Sequence, residues 1–298
     1  MSPNNTFLSQ PLAVFILVIS ASLFASNHIA ARFAFDNDTG LLLAIIARGC
    51  VSLLLMLTIA WQRKASFYVP PHLRKWQLLL GLLIAGQSLA LYSAITLIPV
   101  AMALLLVNTW PMMFIVSSWI MGKREPNIKT LFILVFILLG LFFVLDISPE
   151  IQMHEQQMLG IAFGILSAVL LTFTMWITQY QLADIPGSVR SSYTMLGVVL
   201  AMIILGVIGI VPDGLSLPDN SQGWTGLALL ALFYGVAMTL LFVLAPKLDM
   251  SRNSPILNVE PVVSLGLAYV FLGQLLNGGQ LIGGAMVVIG IISIGLMR

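Results

Sequence analysis

The sequence predicts an all-α integral membrane protein: ten transmembrane helices arranged as two inverted five-helix repeats. Three observations predict it. The chain of 298 residues is 59% hydrophobic and 8% charged. Its basic residues fall almost entirely on one side of a ten-span reading. Matched residues recur between its two halves. The first observation is decisive about class. A soluble chain carries about 25% charged residues, roughly 75 at this length, against 13 basic and 11 acidic side chains here. A water-soluble globule with that deficit could not cover its surface. Soluble enzymes, nucleic-acid binders and disordered proteins are therefore excluded. A mean hydropathy of +1.04 agrees.

A transmembrane helix needs about 20 apolar residues. Apolar runs separated by polar, Gly or Pro clusters give spans at 11–33, 40–61, 76–98, 100–121, 127–146, 158–180, 189–211, 224–246, 252–272 and 278–297. The longest connections, 62–75 and 147–157, are too short for a soluble domain. Trp61, Trp76 and Trp224 fall at span ends, where amphipathic rings prefer the headgroup zone. Segment 1–10 has no Lys or Arg, so no cleavable signal is expected. The single Cys50 excludes an internal disulfide and a cysteine-built metal site.

Charge sets the orientation. The side shared by the termini and the even loops holds Arg63, Lys64, Arg74, Lys75, Lys123, Arg124, Lys129, Arg190, Lys247, Arg252 and Arg298. The opposite loops carry acids: Asp36, Asp38, Asp146, Glu150, Glu155, Asp213 and Asp219. The positive-inside rule puts both termini in the cytoplasm. The expected membrane is the plasma membrane, as in a bacterial inner membrane. A missed or invented span would scramble the segregation.

The halves 11–146 and 158–297 resemble each other. Asn108-Thr-Trp-Pro111 matches Asn258-Val-Glu-Pro261, and Gly140 matches Gly290, both at an offset of 150. Pro99 maps to Pro246, and Ser20-Ala21 to Ser167-Ala168, at 147. A loop insertion accounts for the drift. Five helices is an odd number, so the second copy lies upside down. Inverted repeats place a substrate site near the bilayer midplane.

The same residues carry a family resemblance. The ordered set of Phe24-Ala-Ser-Asn27 with Arg32, Ala47-Arg48, Tyr92-Ser-Ala with Pro99 and Pro111, Gly122-Lys-Arg-Glu125 and Val259-Glu-Pro-Val262 resembles the EamA-type branch of the drug/metabolite transporter superfamily over nearly the whole chain. Phe24 stands where the family usually has Trp, Gln274 where the second repeat usually has Glu, and Glu125 is displaced by one residue. The resemblance implies ten helices and small-molecule transport. It implies no particular substrate.

Ionisable groups in a bilayer are costly and mark functional sites by default. His28, Arg48 and Glu260 lie within spans, and Arg32 near an outer edge. At about 1.5 Å per residue, Arg48 and Glu260 each lie about 12 Å deep from opposite ends. In a core of about 30 Å their levels differ by about 6 Å, so they could meet directly or through water. Glu260 precedes Pro261, and Pro111 follows Trp110. Proline removes a backbone hydrogen bond and breaks or kinks the helix. A carboxylate beside such a break binds a cation, a substrate amine or a proton; alternatively it forms a fixed ion pair. Arg48 either grips a carboxylate bidentately or orients its helix through carbonyls. Arg32 can snorkel to the headgroups. His28 is a packing residue or a proton relay. Asn108 and Asn258 are either interhelical hydrogen-bonding groups or substrate contacts. Gln87, Tyr92, Trp110, Trp176, Tyr180 and Tyr234 are further candidates for the substrate cavity. The Gly279, Gly283, Gly284 and Gly290 stripe permits close helix contact within a monomer or in a homodimer.

No phosphate loop, His-Glu-x-x-His or Gly-x-Ser-x-Gly is present, so soluble-enzyme chemistry, metals and cofactors are not expected. The expected partners are the lipid bilayer, a small-molecule substrate and protons. The leading reading is a secondary transporter of a small amino-acid-like or amphipathic metabolite, working by alternating access, with export favoured by analogy. The alternative is a facilitator or channel for small neutral solutes. A channel calls for a continuous polar stripe or charge rings, and the polar residues are scattered instead. An intramembrane enzyme would need two converging catalytic groups, with His28 and Glu260 as the candidate pair.

Overall fold

The computed structural model describes residues 7–98, 100–123, 127–144, 155–211, 213–272 and 277–296. These residues form helices and connections, with no strand among them. The helices are α1 (Gln10–Phe35), α2 (Leu41–Gln62), α3 (Pro71–Leu97), α4 (Val100–Val107), α5 (Trp110–Ile120), α6 (Ile128–Val144), α7 (Glu155–Trp176), α8 (Gly187–Ile208), α9 (Ser221–Leu244), α10 (Met250–Asn253), α11 (Glu260–Leu272) and α12 (Gly278–Leu296). A π-helical turn, Ile177–Gln181, continues α7. A 3₁₀ segment, Ser254–Val259, joins α10 to α11.

Among the described residues, six helical stretches are long and apolar enough to cross a membrane: α1, α2, α3, α7 with its π turn, α8 and α9. Parts of α5, α6 and α12 form shorter apolar helices. Each of the ten expected spans corresponds to helix, and the fourth and ninth are interrupted. The interruptions do not fall where proline placement alone suggested. The fourth span breaks at Asn108–Thr109, and Pro111 sits in the first turn of α5. The ninth breaks across the 3₁₀ segment, and Pro261 is the second residue of α11. The physical reason is that a first-turn proline has no hydrogen bond to lose and a φ already suited to helix. Each proline therefore starts a new helix, and the break lies upstream of it.

The chain divides into two compact units. One comprises 1–21, 86–176 and 247–298; the other comprises 22–85 and 177–246. In the first, α6 packs against α12, α4 and α5 pack against α7, and the 3₁₀ segment touches α5, α6, α11 and α12. A Cβ at Gly140 would come 2.9 Å from the Gly283 carbonyl oxygen, so α6 and α12 meet nearly backbone to backbone. The Gly283 face thus serves packing within the chain. In the second unit, α2 packs on α8 and α9. Small residues make the joint there: Ala30, Ala34 and Ala44 cluster with Leu227 and Leu230. The pairs α2–α8 and α6–α12 each join a span to the one five places later.

Large apolar side chains also face outward, among them Phe132, Leu139, Val207, Ile208, Ile282 and Ile289. Helices apolar on all sides need lipid as their solvent. One helix start is completed from a distant loop. α2 has no side-chain cap at Gly40; instead the Gly40 amide donates to the Ser216 carbonyl at 2.9 Å and the Leu43 amide to the Gly214 carbonyl at 2.9 Å.

Candidate functional site

The first unit gathers seven expected residues: Gln87, Tyr92, Asn108, Trp110, Trp176, Asn258 and Glu260. At the α4–α5 break, Asn108 is buried, and its amide donates to the Leu104 carbonyl at 2.8 Å. The Thr109 hydroxyl donates to the Leu106 carbonyl at 2.6 Å. These bonds turn side chains back onto the end of α4 and satisfy carbonyls that the break exposes. The Trp110 carbonyl accepts from Thr172 Oγ1 of α7 at 3.3 Å, which ties the break to α7. The Trp110 ring lies 6.3 Å from that of Phe114. Gln87 donates to Ser167 Oγ at 3.1 Å. Tyr92 is 1% exposed, and Trp176 is buried with Lys123 Nζ 5.9 Å from its ring centroid.

The second break differs in one respect. Asn258 is 0% exposed, and neither its Oδ1 nor its Nδ2 finds a hydrogen-bond partner among the described residues. The hydroxyls of Ser254 and Ser264 share that condition. A buried amide without partners costs about 1–3 kcal/mol, so Asn258 keeps its hydrogen-bonding capacity unused at that cost. Glu260, half-buried, opens α11 two residues after Asn258. A carboxylate in a first turn is favoured by the helix dipole.

The second unit holds Arg48, Tyr234 and His28. Arg48 is 4% exposed, and its guanidinium lies 4.1 Å from the Tyr234 ring centroid. Phe24 meets the same ring edge-on at 5.9 Å. A guanidinium over an aromatic face is held by the ring quadrupole, worth about 2 kcal/mol when desolvated. Asn27 of α1 is buried, while His28 is half-buried. Arg32 belongs to α1, but its side chain lies outside the described residues, as do Pro99, Glu125 and Gln274.

Sequence reasoning missed Arg190, which it counted only as a cytoplasmic charge. Arg190 is 0% exposed. It donates through Nη1 to the Leu182 carbonyl at 3.0 Å and through Nη2 to the Phe242 carbonyl. Gln77 Nε2 donates to the Arg190 carbonyl at 3.0 Å. The side chain therefore pins α8, the turn after α7 and the end of α9 together. The polar run Ser188, Ser191, Ser192 and Thr194 around it was the available signal.

Interrupted apolar helices with buried polar groups at the breaks define a multi-pass membrane protein. The chain belongs to the EamA-like transporter family, which matches residues 11–146 and again 158–296. It is 30% identical over 205 residues, 67% of this chain and 68% of the relative, to a protein of Archaeoglobus fulgidus described as an uncharacterized transporter. A crystal structure of a protein 17% identical aligns over 95% of this chain and 97% of its own, with a TM-score of 0.77; that likeness concerns the fold. The family consists of transporters rather than enzymes.

Proposed function

We propose that the protein is a secondary transporter that carries a small amino-acid-like or amphipathic metabolite outward across the plasma membrane, a bacterial inner membrane, by alternating access. One observation carries the reading: the buried Asn258 amide, without a partner among the described residues, sits at a helix interruption matched by a second interruption at Asn108. Discontinuous helices at repeat-related positions are where transporters bind solutes, because unwound backbone is tolerated in a bilayer only beside a cavity or other protein. The α2–α8 and α6–α12 pairings support two five-helix repeats of opposite orientation, and the one-sided Lys and Arg distribution supports cytoplasmic termini.

The chemistry favours a zwitterion or an amphipathic amine. Asn258 offers donors and an acceptor. Glu260 offers a negative charge to an ammonium group or a proton. Trp110, Trp176 and Tyr92 supply apolar walls, and Asn108 and Gln87 supply further amides. The working unit is a monomer or a homodimer, with protons as the coupling ion through Glu260.

Two experiments test this. A thermal-shift screen of amino acids and amphipathic amines on purified protein should reveal a stabilising solute, because a ligand at 100 times its Kd adds about 2.7 kcal/mol. In proteoliposomes, Glu260→Gln should abolish proton-driven flux of that solute and leave the fold intact. Unchanged flux under a pH gradient would remove Glu260 from the mechanism.

A further inference from the structure

A pocket away from the helix breaks opens in the other unit where α3 begins. It has a volume of about 410 Å³ and is lined by Phe67, Tyr68, Arg74, Gln77, Leu78 and Tyr193, among others. That volume is typical of small-ligand sites, which span about 300–1,000 Å³. The walls are built. The Tyr193 hydroxyl donates to the Phe67 carbonyl at 2.9 Å, and the two rings meet edge to face at 6.2 Å. Arg74 Nε donates to the Val69 carbonyl at 3.1 Å, which sets the guanidinium at the rim.

The floor is polar and already oriented. Gln77 is 7% exposed, and its Nε2 donates to the Arg190 carbonyl and to Thr194 Oγ1, both at 3.0 Å. A carbonyl is only an acceptor, so the amide cannot be turned around. Its Oε1 is therefore left as a buried acceptor, without a partner among the described residues. A ligand here needs an anion for Arg74 and a hydrogen-bond donor for Gln77.

Below the pocket the surface changes from charged to apolar within one turn. Arg74 and Lys75 give way to exposed Leu78 and Leu82 on α3. On α8, exposed Leu196 and Leu200 continue below Tyr193. Residues three, four and seven apart share a helix face. Between these rows the helices nearly touch: a Cβ at Gly81 would stand 3.8 Å from the Gly197 Cα. Two apolar ridges flanking a glycine crossing form a furrow that leads away from the charged rim. A polar head with an apolar tail fits that sequence of surfaces.

We propose that this pocket binds the headgroup of a net-anionic, hydroxylated phospholipid, phosphatidylglycerol being the simplest case, with its acyl chains along the α3–α8 furrow. Arg74 holds the phosphate. A headgroup hydroxyl donates to Gln77 Oε1. An ammonium would satisfy the same acceptor, but segment 62–75 carries Arg63, Lys64, Arg74 and Lys75 and no acid, which disfavours a second positive charge.

Native mass spectrometry of the delipidated full-length protein tests this with acyl-matched lipids. Phosphatidylglycerol should be retained about five-fold more than phosphatidylethanolamine, and Arg74→Gln should lower its retention about five-fold, the effect of one basic residue near an anionic lipid, with the melting temperature unchanged. Phosphatidylmethanol keeps the phosphate and lacks the hydroxyls, so it should bind more weakly than phosphatidylglycerol without any mutation of Gln77. Soluble glycerol 3-phosphate should neither displace the lipid nor shift melting. Equal retention of the lipids, undiminished retention by Arg74→Gln, or displacement by glycerol 3-phosphate would each overturn the proposal; the last would identify a soluble phosphate ligand instead.

Discussion

Asn258 separates stability from function at the level of one side chain. Its amide is buried and makes no hydrogen bond among the described residues, so its removal forfeits none of them. Asn258→Leu, similar in size and apolar, should leave thermal stability in detergent unchanged or raise it by up to about 1–3 kcal/mol, the cost of an unsatisfied buried amide. Substrate flux should fall at the same time. A stability loss above about 1 kcal/mol would mean that the amide is bonded after all. Arg48 and Tyr234 make the opposite case. Their contact at 4.1 Å predicts a coupling of about 2 kcal/mol in a double-mutant cycle of Arg48→Met and Tyr234→Leu, read by thermal unfolding. A coupling near zero would show that the stack does not hold α2 to α9.

Among the helices, the two interruptions decide most of what the protein can do. Pro111 lies in the first turn of α5, where it removes no intrahelical bond. Pro111→Ala should therefore change stability by less than about 1 kcal/mol. A proline that caused the break would behave differently, because its loss would let α4 and α5 fuse. Apolar run length made the spans legible in the sequence, since the bilayer demands about 20 residues whatever the packing. The repeated Asn-x-x-Pro pointed to both interruptions. It placed them too far along the chain, by two or three residues at Pro111 and by two to seven at Pro261, because a proline is equally at home starting a helix or bending one. The π turn at Ile177–Gln181 left no periodic trace. Arg190 was misread for a similar reason: sequence shows a cation at a span end, and only packing shows that its guanidinium is turned inward onto the Leu182 and Phe242 carbonyls. Which helices pack on one another was not legible either, since groups that meet, such as Gly140 and the Gly283 carbonyl, lie far apart in the chain.

For the molecule as a whole, glycine distribution separates buried joints from lipid-facing surface. Gly140 faces the Gly283 carbonyl, whereas a Cβ at Gly266 would meet nothing within 4 Å. Gly140→Val should destabilise by about 1–3 kcal/mol through overpacking. Gly266→Ala should be neutral or stabilise by about 0.5–1 kcal/mol. Melting temperatures of the two variants check the pair. Orientation has its own test. With Cys50→Ser as a thiol-free background, a cysteine at Ser66 should react with an impermeant maleimide only from the cytoplasmic side, and one at Ser216 only from outside. The reverse pattern would invert the assigned topology.

The carbonyls of Gly214 and Ser216 that complete the start of α2 bear on where a fluorescent reporter or epitope tag can be spliced in. Extra residues between 213 and 217 would pull those oxygens away and fray a helix whose first turn has no side chain to replace them. The stretch at 64–66 makes only local hydrogen bonds among the described residues, so it is the better place to cut the chain open and add a label.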